Sequence, residues 1–270
     1  MEEKGVGCHS RINAAVRDAA KLPLCRCSRY VIFSDQHRGE GTSNDNFLKN
    51  RHLYMAAMEH YYRNGFYYIE LGDTEELWEN RCAERIRSSH KEVYEIVSRF
   101  DSQNRFLKIY GNHDMELKKN LYESAILENK ENGRNICMMH GHQADFFNSV
   151  CWKLSRFLVR YLWKPLEKNG FNDPTSAARN NKKAQKYEKC LKDWTVKNDT
   201  YLIAGHSHRP RLHDENDLYI NSGSCVHPEG VTCIEIEDMN FTLVKWSMKA
   251  RKDMLLCVER EIIGGPVEIR

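Results

Sequence analysis

The chain lacks an apolar run long enough to span a bilayer, which excludes an integral membrane helix. It has no Cys-x-x-Cys pair and no zinc-finger spacing, so a small zinc module is excluded too. Neither a phosphate-binding P-loop nor a dinucleotide-binding glycine fingerprint occurs. Prolines number only six, and there is no internal repeat or low-complexity linker, so composition marks no domain boundary. An excess of one charge is also missing. Lys and Arg total 41 against 38 Asp and Glu, a net charge of +3 that demands no polyanionic partner and no obligate nucleic acid.

What is present is ample for a sizeable core: 270 residues, 41% hydrophobic and 29% charged, enough for one large domain or two small ones. The ten cysteines are scattered, with Cys25-Arg26-Cys27 the only close pair. The opening segment MEEKGVGCHSRINAAVRDAA is polar and has no apolar signal core. Reduced thiols in a cytoplasmic protein are therefore expected.

Hydrophobic patterning organises the chain. Residues 29–34 form a short apolar run that reads as a buried strand, 46–63 has helical spacing stopped by Asn64-Gly65, and FYYIELGD reads as the next strand. A helix over 83–100 leads to the strand RFLKIY. This order predicts a βαβαβ layer. NICMMHGH and TYLIAGHSH read as further strand ends, and DLYINSGSCV, VTCIEIED and NFTLVKWSM as short antiparallel strands. A helical insert lies between, at about 146–198.

Five of these strand ends carry groups able to hold metals: SDQH with Asp35 and His37, LGD with Asp73, GNHD with Asn112, His113 and Asp114, HGH with His140 and His142, and GHSH with His206 and His208. Ligands of open α/β sheets gather beyond the strand carboxyl ends. Each block alone suits an exposed turn. As a set they are harder to explain, because burying several carboxylates and imidazoles together without a cation is costly. The O and N donors suit manganese, iron, zinc or similar ions.

The ordered series D-x-H, G-D, G-N-H-D, H-G-H and G-H-x-H, over roughly 29–226, resembles the calcineurin-like metallophosphoesterase superfamily. That resemblance implies an α/β fold, a two-sheet β-sandwich flanked by helices, with a two-metal centre at one edge. It implies that Asp35, His37 and His208 hold one ion, that Asn112, His140 and His206 hold the other, and that Asp73 bridges them. His113 would assist the leaving group and Asp114 would orient His113. Metal-activated hydroxide would then hydrolyse a phosphodiester or pyrophosphate bond.

The insert, together with GDTEELWE, resembles the UDP-2,3-diacylglucosamine pyrophosphatase branch, which implies manganese and a nucleotide-sugar-like substrate. The chain departs from that branch at His113 (usually Arg), at His142 (usually Asp) and at Arg38 (usually apolar). In FFNSVCWKLSRFLVRYLWKPL one stripe is apolar (Phe147, Val150, Cys151, Leu154, Leu158, Tyr161, Leu162) and is expected to face the core. Lys153, Arg156, Arg160 and Lys164 form a basic stripe, with Trp152 and Trp163 on a third. Arg38, Trp152, Lys153, Arg156, Arg160 and Trp163 are thus candidates for binding a phosphorylated small molecule with an apolar portion, the cap also offering peripheral membrane contact. An amphipathic packing helix explains the same stripes. A phosphomonoesterase, protein phosphatase or nuclease of this fold, and a non-catalytic interaction scaffold, are the competing readings.

Overall fold

The computed structural model describes residues 7–42, 45–131, 133–163 and 181–270. The first βαβαβ layer is present as strands β2 (Tyr30–Phe33), β3 (Tyr67–Leu71) and β4 (Phe106–Ile109), all parallel. The helix expected over 46–63 is broken at Asn50 into a 3-10 turn (Asn46–Lys49) and α2 (Arg51–Arg63), because the Asn50 amide donates to the carbonyls of Cys225 and His227. That expected over 83–100 is likewise split, into α3 (Ala83–Ser89) and α4 (Lys91–Ser102), at His90, whose buried ring pairs with Asp45 at 2.8 Å.

Two sheets stack face to face. One has the order β11-β10-β9-β2-β3-β4 and the other β1-β5-β6-β7-β8. Here β1 is Ala20–Leu24, β5 Ser124–Asn129, β6 Ile136–Met139, β7 Tyr201–Ala204, β8 Tyr219–Asn221, β9 Val231–Glu237, β10 Asn240–Ala250 and β11 Leu256–Glu268. The expected antiparallel tail holds for β9 and β10, but β8 runs parallel beside β7 in the other sheet.

Alternation along each strand builds the layers. Tyr30, Ile32, Ile136, Met138, Tyr201 and Ile203 point between the sheets. Val31 and Phe33 point outward beneath α2 and α4, against Tyr54, Ala57, Val93 and Ile96. Cys137, Met139, Leu202 and Ala204 point to the opposite outer face. That face is covered by α1 (Cys8–Arg17) and α7 (Asn181–Asn198) through Ile12, Tyr187, Leu191 and Trp194. With both faces buried, these strands are apolar throughout rather than alternating, which is why they read as continuous runs.

α7 ends the insert, yet it packs as a flank of the sandwich. Its Lys186 and Lys189 are exposed, a solvated face. The expectation that every thiol is reduced does not hold: Cys8 and Cys190 form a disulfide. α1 and α7 lie together on one sheet, joined also by Trp194 Nε1 donating to Asn13 Oδ1 at 2.8 Å, so the fold brings together thiols 182 residues apart. Among the described residues no helix is long and apolar enough to cross a membrane.

The earlier part of the insert forms α5 (Phe146–Ser149), α6 (Trp152–Leu158) and a π turn (Val159–Trp163). Its apolar stripe does not face the core. Phe147, Val150, Leu154, Tyr161 and Leu162 are 47–57% exposed, because α6 stands off the sheets and touches the molecule through its basic residues instead. Lys164 and the Trp163 side chain lie outside the described residues.

Candidate metal centre

The carboxyl ends of β2, β3, β4, β6 and β7 open on one edge of the sandwich, and the loops there continue the sheet hydrogen bonding past the strands. Asp35 N–H donates to Gly72 O (3.0 Å) and His37 N–H to Asp73 O (2.9 Å). Asp35, His37, Asp73, His206 and His208 all lie in left-handed backbone, with φ of 54, 48, 52, 66 and 57°. Each such non-glycine residue costs on the order of 1 kcal/mol or more, and strain of this kind gathers at functional sites.

Close approach needs glycine. A Cβ on Gly111 would sit 2.2 Å from Asp73 Oδ1, and one on Gly205 would sit 2.4 Å from Asp35 Oδ2. Backbone and carboxylate can therefore meet: His113 N–H donates to Asp73 Oδ1 at 2.8 Å, and His206 N–H to Asp35 Oδ2 at 3.0 Å.

Among the described residues three donor groups have suitable spacing: Asp35, His37 and His208; Asp73, His140 and His206; and His37, Glu76 and His113, where Glu76 takes the Nδ1 atoms of both rings. Asp35 Oδ1 is 3.0 Å from His208 Nε2 and 3.7 Å from His37 Nε2. Asp73 Oδ2 lies 3.0 Å from His140 Nε2 and 3.8 Å from His37 Nε2, and so stands between the first two groups. Asn112 is 1% exposed. Asp35 Oδ1, His37 Nε2, Asn112 Oδ1, His140 Nε2 and His206 Nε2 are buried atoms that make no hydrogen bond. Buried polar atoms rarely stay unsatisfied. An all-O/N donor set with its lone pairs facing inward fits divalent cations.

The rings are set by their other nitrogens. His140 Nδ1 bonds Leu71 O at 2.9 Å, and His37 Nδ1 bonds Glu76 Oε2 at 2.7 Å, leaving each Nε2 for the site. Burial pushes the Asp73 carboxyl up, but His140, His113 and His37 outweigh it and hold the group far below its ordinary range. For His206 burial is the largest influence and favours the neutral ring that ligation requires.

His113 bonds Glu76 Oε1 through Nδ1 at 2.8 Å and stacks on Trp78, with centroids 4.3 Å apart. The expected orienting role of Asp114 is corrected by this geometry. Asp114 Oδ2 accepts from Thr74 N (3.0 Å) and Thr74 Oγ1 (2.9 Å), and its Oδ1 from Gly111 N, which ties two loops together and leaves Asp114 turned away from the imidazole. Sequence reasoning missed Glu76. Its signal is a carboxylate three residues beyond Asp73 in GDTEE. Asp145 is a second omission, its Oδ2 lying 3.9 Å from His206 Nε2.

Arg38 as a substrate contact is also corrected. It is fully buried and pairs with Glu70 (2.9 Å) and Glu75 (3.3 Å), so it reaches no ligand. Arg156 pairs with Glu116, and Arg160 donates to the carbonyls of Leu77, Trp78 and Asn80 at 2.6–3.1 Å. Both guanidinium groups act as struts that hold the insert to the loops on either side of His113. Lys153 is exposed, beside the partly buried ring of Trp152.

The family model described as the calcineurin-like phosphoesterase superfamily domain matches residues 29–239. The chain belongs to this superfamily. No curated protein matches the chain. Among solved structures it is similar to Vps29 of Chaetomium thermophilum, at 12% identity and TM-score 0.44, covering 88% of this chain and 97% of that one. It is also similar to a protein of Streptococcus pneumoniae TIGR4 described as a predicted phosphoesterase, at 14% identity and TM-score 0.38, covering 87% and 97%. Likenesses this distant carry no functional argument. The calcineurin-like phosphoesterase fold and the clustered donors go together in this chain as a candidate metal-dependent phosphoesterase site.

Proposed function

We propose that this calcineurin-like phosphoesterase hydrolyses a phosphodiester or pyrophosphate bond with two divalent cations, manganese first among them. Asp35, His37 and His208 would hold one ion; Asn112, His140 and His206 the other; Asp73 both. The observation that carries the reading is Asp73 Oδ2, placed between His140 Nε2 and His37 Nε2 at the junction of two donor groups in which Asp35 Oδ1, His37 Nε2, His140 Nε2 and His206 Nε2 are buried without hydrogen bonds.

When bound, the cations supply positive charge to phosphoryl oxygens and lower the pKa of water. His113 would hold a proton for the departing oxygen at Nε2, because its Nδ1 is taken by Glu76. Trp78 limits rotation of that ring by stacking on it. The insert, braced by Arg156 and Arg160, borders His113 and would meet the remainder of the substrate with Trp152 and the exposed Lys153. A nucleotide-sugar-like molecule with an apolar portion is the substrate class this supports.

Metal analysis together with a manganese-supplemented panel (a phosphomonoester, a phosphodiester, nucleotide-sugar pyrophosphates and short nucleic acids) tests the proposal. Asp73→Asn is expected to empty both metal positions and abolish turnover, since a neutral amide bridges dications poorly. Full two-metal occupancy with normal rates in that variant overturns the assignment.

A further inference from the structure

The turn that follows β1 holds Cys25, Arg26, Cys27 and Ser28. Cys25 Sγ and Cys27 Sγ are 2.7 Å apart, closer than sulfurs of two unrelated thiols ordinarily sit. The turn is locked: Cys25 N–H donates to Ser28 Oγ at 3.1 Å, Ser28 N–H donates to Cys25 O at 2.9 Å, and Arg26 is fixed by Glu131. Ser28 Oγ also lies 3.3 Å from Cys25 Sγ. Cys27 is exposed and Cys25 partly so, unlike Cys137, Cys225 and Cys233, which are core residues. Packing therefore gives no reason for this pair. β1 is parallel to β5 and β5 antiparallel to β6, so the turn lies at the opposite end of its sheet from His140. The two thiols are separate from the phosphoesterase site.

We propose that Cys25 and Cys27 are a redox-active dithiol that exchanges with low-molecular-weight disulfides, Cys25 attacking and Cys27 resolving. The Cys25 thiolate attacks one sulfur of RSSR, the S–S bond breaks and one thiolate leaves, giving a mixed disulfide. Cys27 then attacks Cys25 Sγ and displaces the second thiolate. The two cysteines lose two electrons and two protons, and RSSR takes them up as two RSH. The asymmetry of the pair fits these roles. Hydrogen bonds from Cys27 and then Ser28 hold the Cys25 thiol below its ordinary range, whereas the same contact with Cys25 pushes Cys27 up. Closing a disulfide across a single residue gives an exposed bond that is readily reduced again, as reversible exchange requires.

The sequence supplies its own readout, because trypsin cuts after Lys21, Arg26 and Arg29. Fragments 22–26 and 27–29 stay joined only when Cys25 and Cys27 are bonded. The full chain is equilibrated across a ladder of reduced and oxidised glutathione, quenched in acid, alkylated, digested and weighed. Joined fragments are expected at the oxidising end, disappearing as the ladder is reversed. Cys27→Ser should trap glutathione on Cys25, and Cys25→Ser should take up glutathione at Cys27 roughly tenfold more slowly. Fragments that never join at any ratio overturn the proposal. So does Cys25→Ser reacting as fast as Cys27→Ser, which would remove the assignment of the attacking thiol.

Discussion

Replacing Glu76 with Gln keeps the side-chain volume and removes one charge, and the structure fixes what that charge does. Glu76 Oε1 holds His113 Nδ1 at 2.8 Å and Oε2 holds His37 Nδ1 at 2.7 Å. The amide can keep only one of these contacts, since its nitrogen donates where a ring N–H also donates. A hydrogen bond to a charged group contributes about 1.5–3 kcal/mol, and about 1.4 kcal/mol is a factor of ten. Loss at His113 therefore predicts a fall in kcat of roughly ten- to a hundredfold, largest for poor leaving groups that need a proton. Loss at His37 predicts manganese binding weakened by roughly ten- to a hundredfold, the usual effect of removing a ligand's supporting partner. Turnover of phenyl diesters of graded acidity, at saturating manganese, isolates the first effect, and a metal titration isolates the second. Asp114→Asn should instead cost stability while leaving the leaving-group dependence intact. If E76Q matched the parent in both assays, or if D114N alone changed the leaving-group dependence, the orienting role assigned to Glu76 would be wrong.

Gly111→Ala should disrupt metal binding without replacing any proposed ligand, because its Cβ would fall 2.2 Å from Asp73 Oδ1; elemental analysis of the folded variant checks this. Arg160→Ala removes donations to three carbonyls and should loosen the insert, raising KM for a large pyrophosphate substrate several-fold while a small chromogenic diester is turned over almost as before. A uniform loss on both substrates would speak for a purely structural insert. Asp45, which is not among the proposed metal ligands, gives a pH signature. Burial pushes its carboxyl up, but His90 and the backbone N–H groups of Gly41 and Gly39 win and lower it. A folded-state value below the unfolded one of about 3.9 stabilises above that pH and is lost as pH falls through the folded value. Thermal melts should show Asp45→Asn costing stability at pH 7, with the gap to the parent narrowing below about pH 4.

The donor residues were legible in the chain because strand ends in this fold are chemically marked. Short apolar-rich runs stop just before Asp35, Asp73, Asn112, His140 and His206, and glycine beside several of them lets backbone approach carboxylate. The helix–strand order of the first layer was legible for the same reason, periodicity being local. What local pattern does not contain is direction and partnership. Nothing in GNHD says that Asp114 turns toward Thr74 while His113 turns toward Glu76; that depends on how the β3 and β4 loops meet across the sheet. Arg38 follows the candidate ligand His37 in sequence, yet its side chain enters a buried ion-pair network with Glu70 and Glu75. The breaks at Asn50 and His90 come from partners 175 and 45 residues away. The insert shows the same limit most fully: its periodicity specified an amphipathic helix, but which stripe met the molecule was decided by Glu116 and the carbonyls of residues 77–80, which hold the basic residues and leave the apolar ones exposed. Hydrophobic period is a property of neighbours along the chain, whereas charge pairing is settled by neighbours in space.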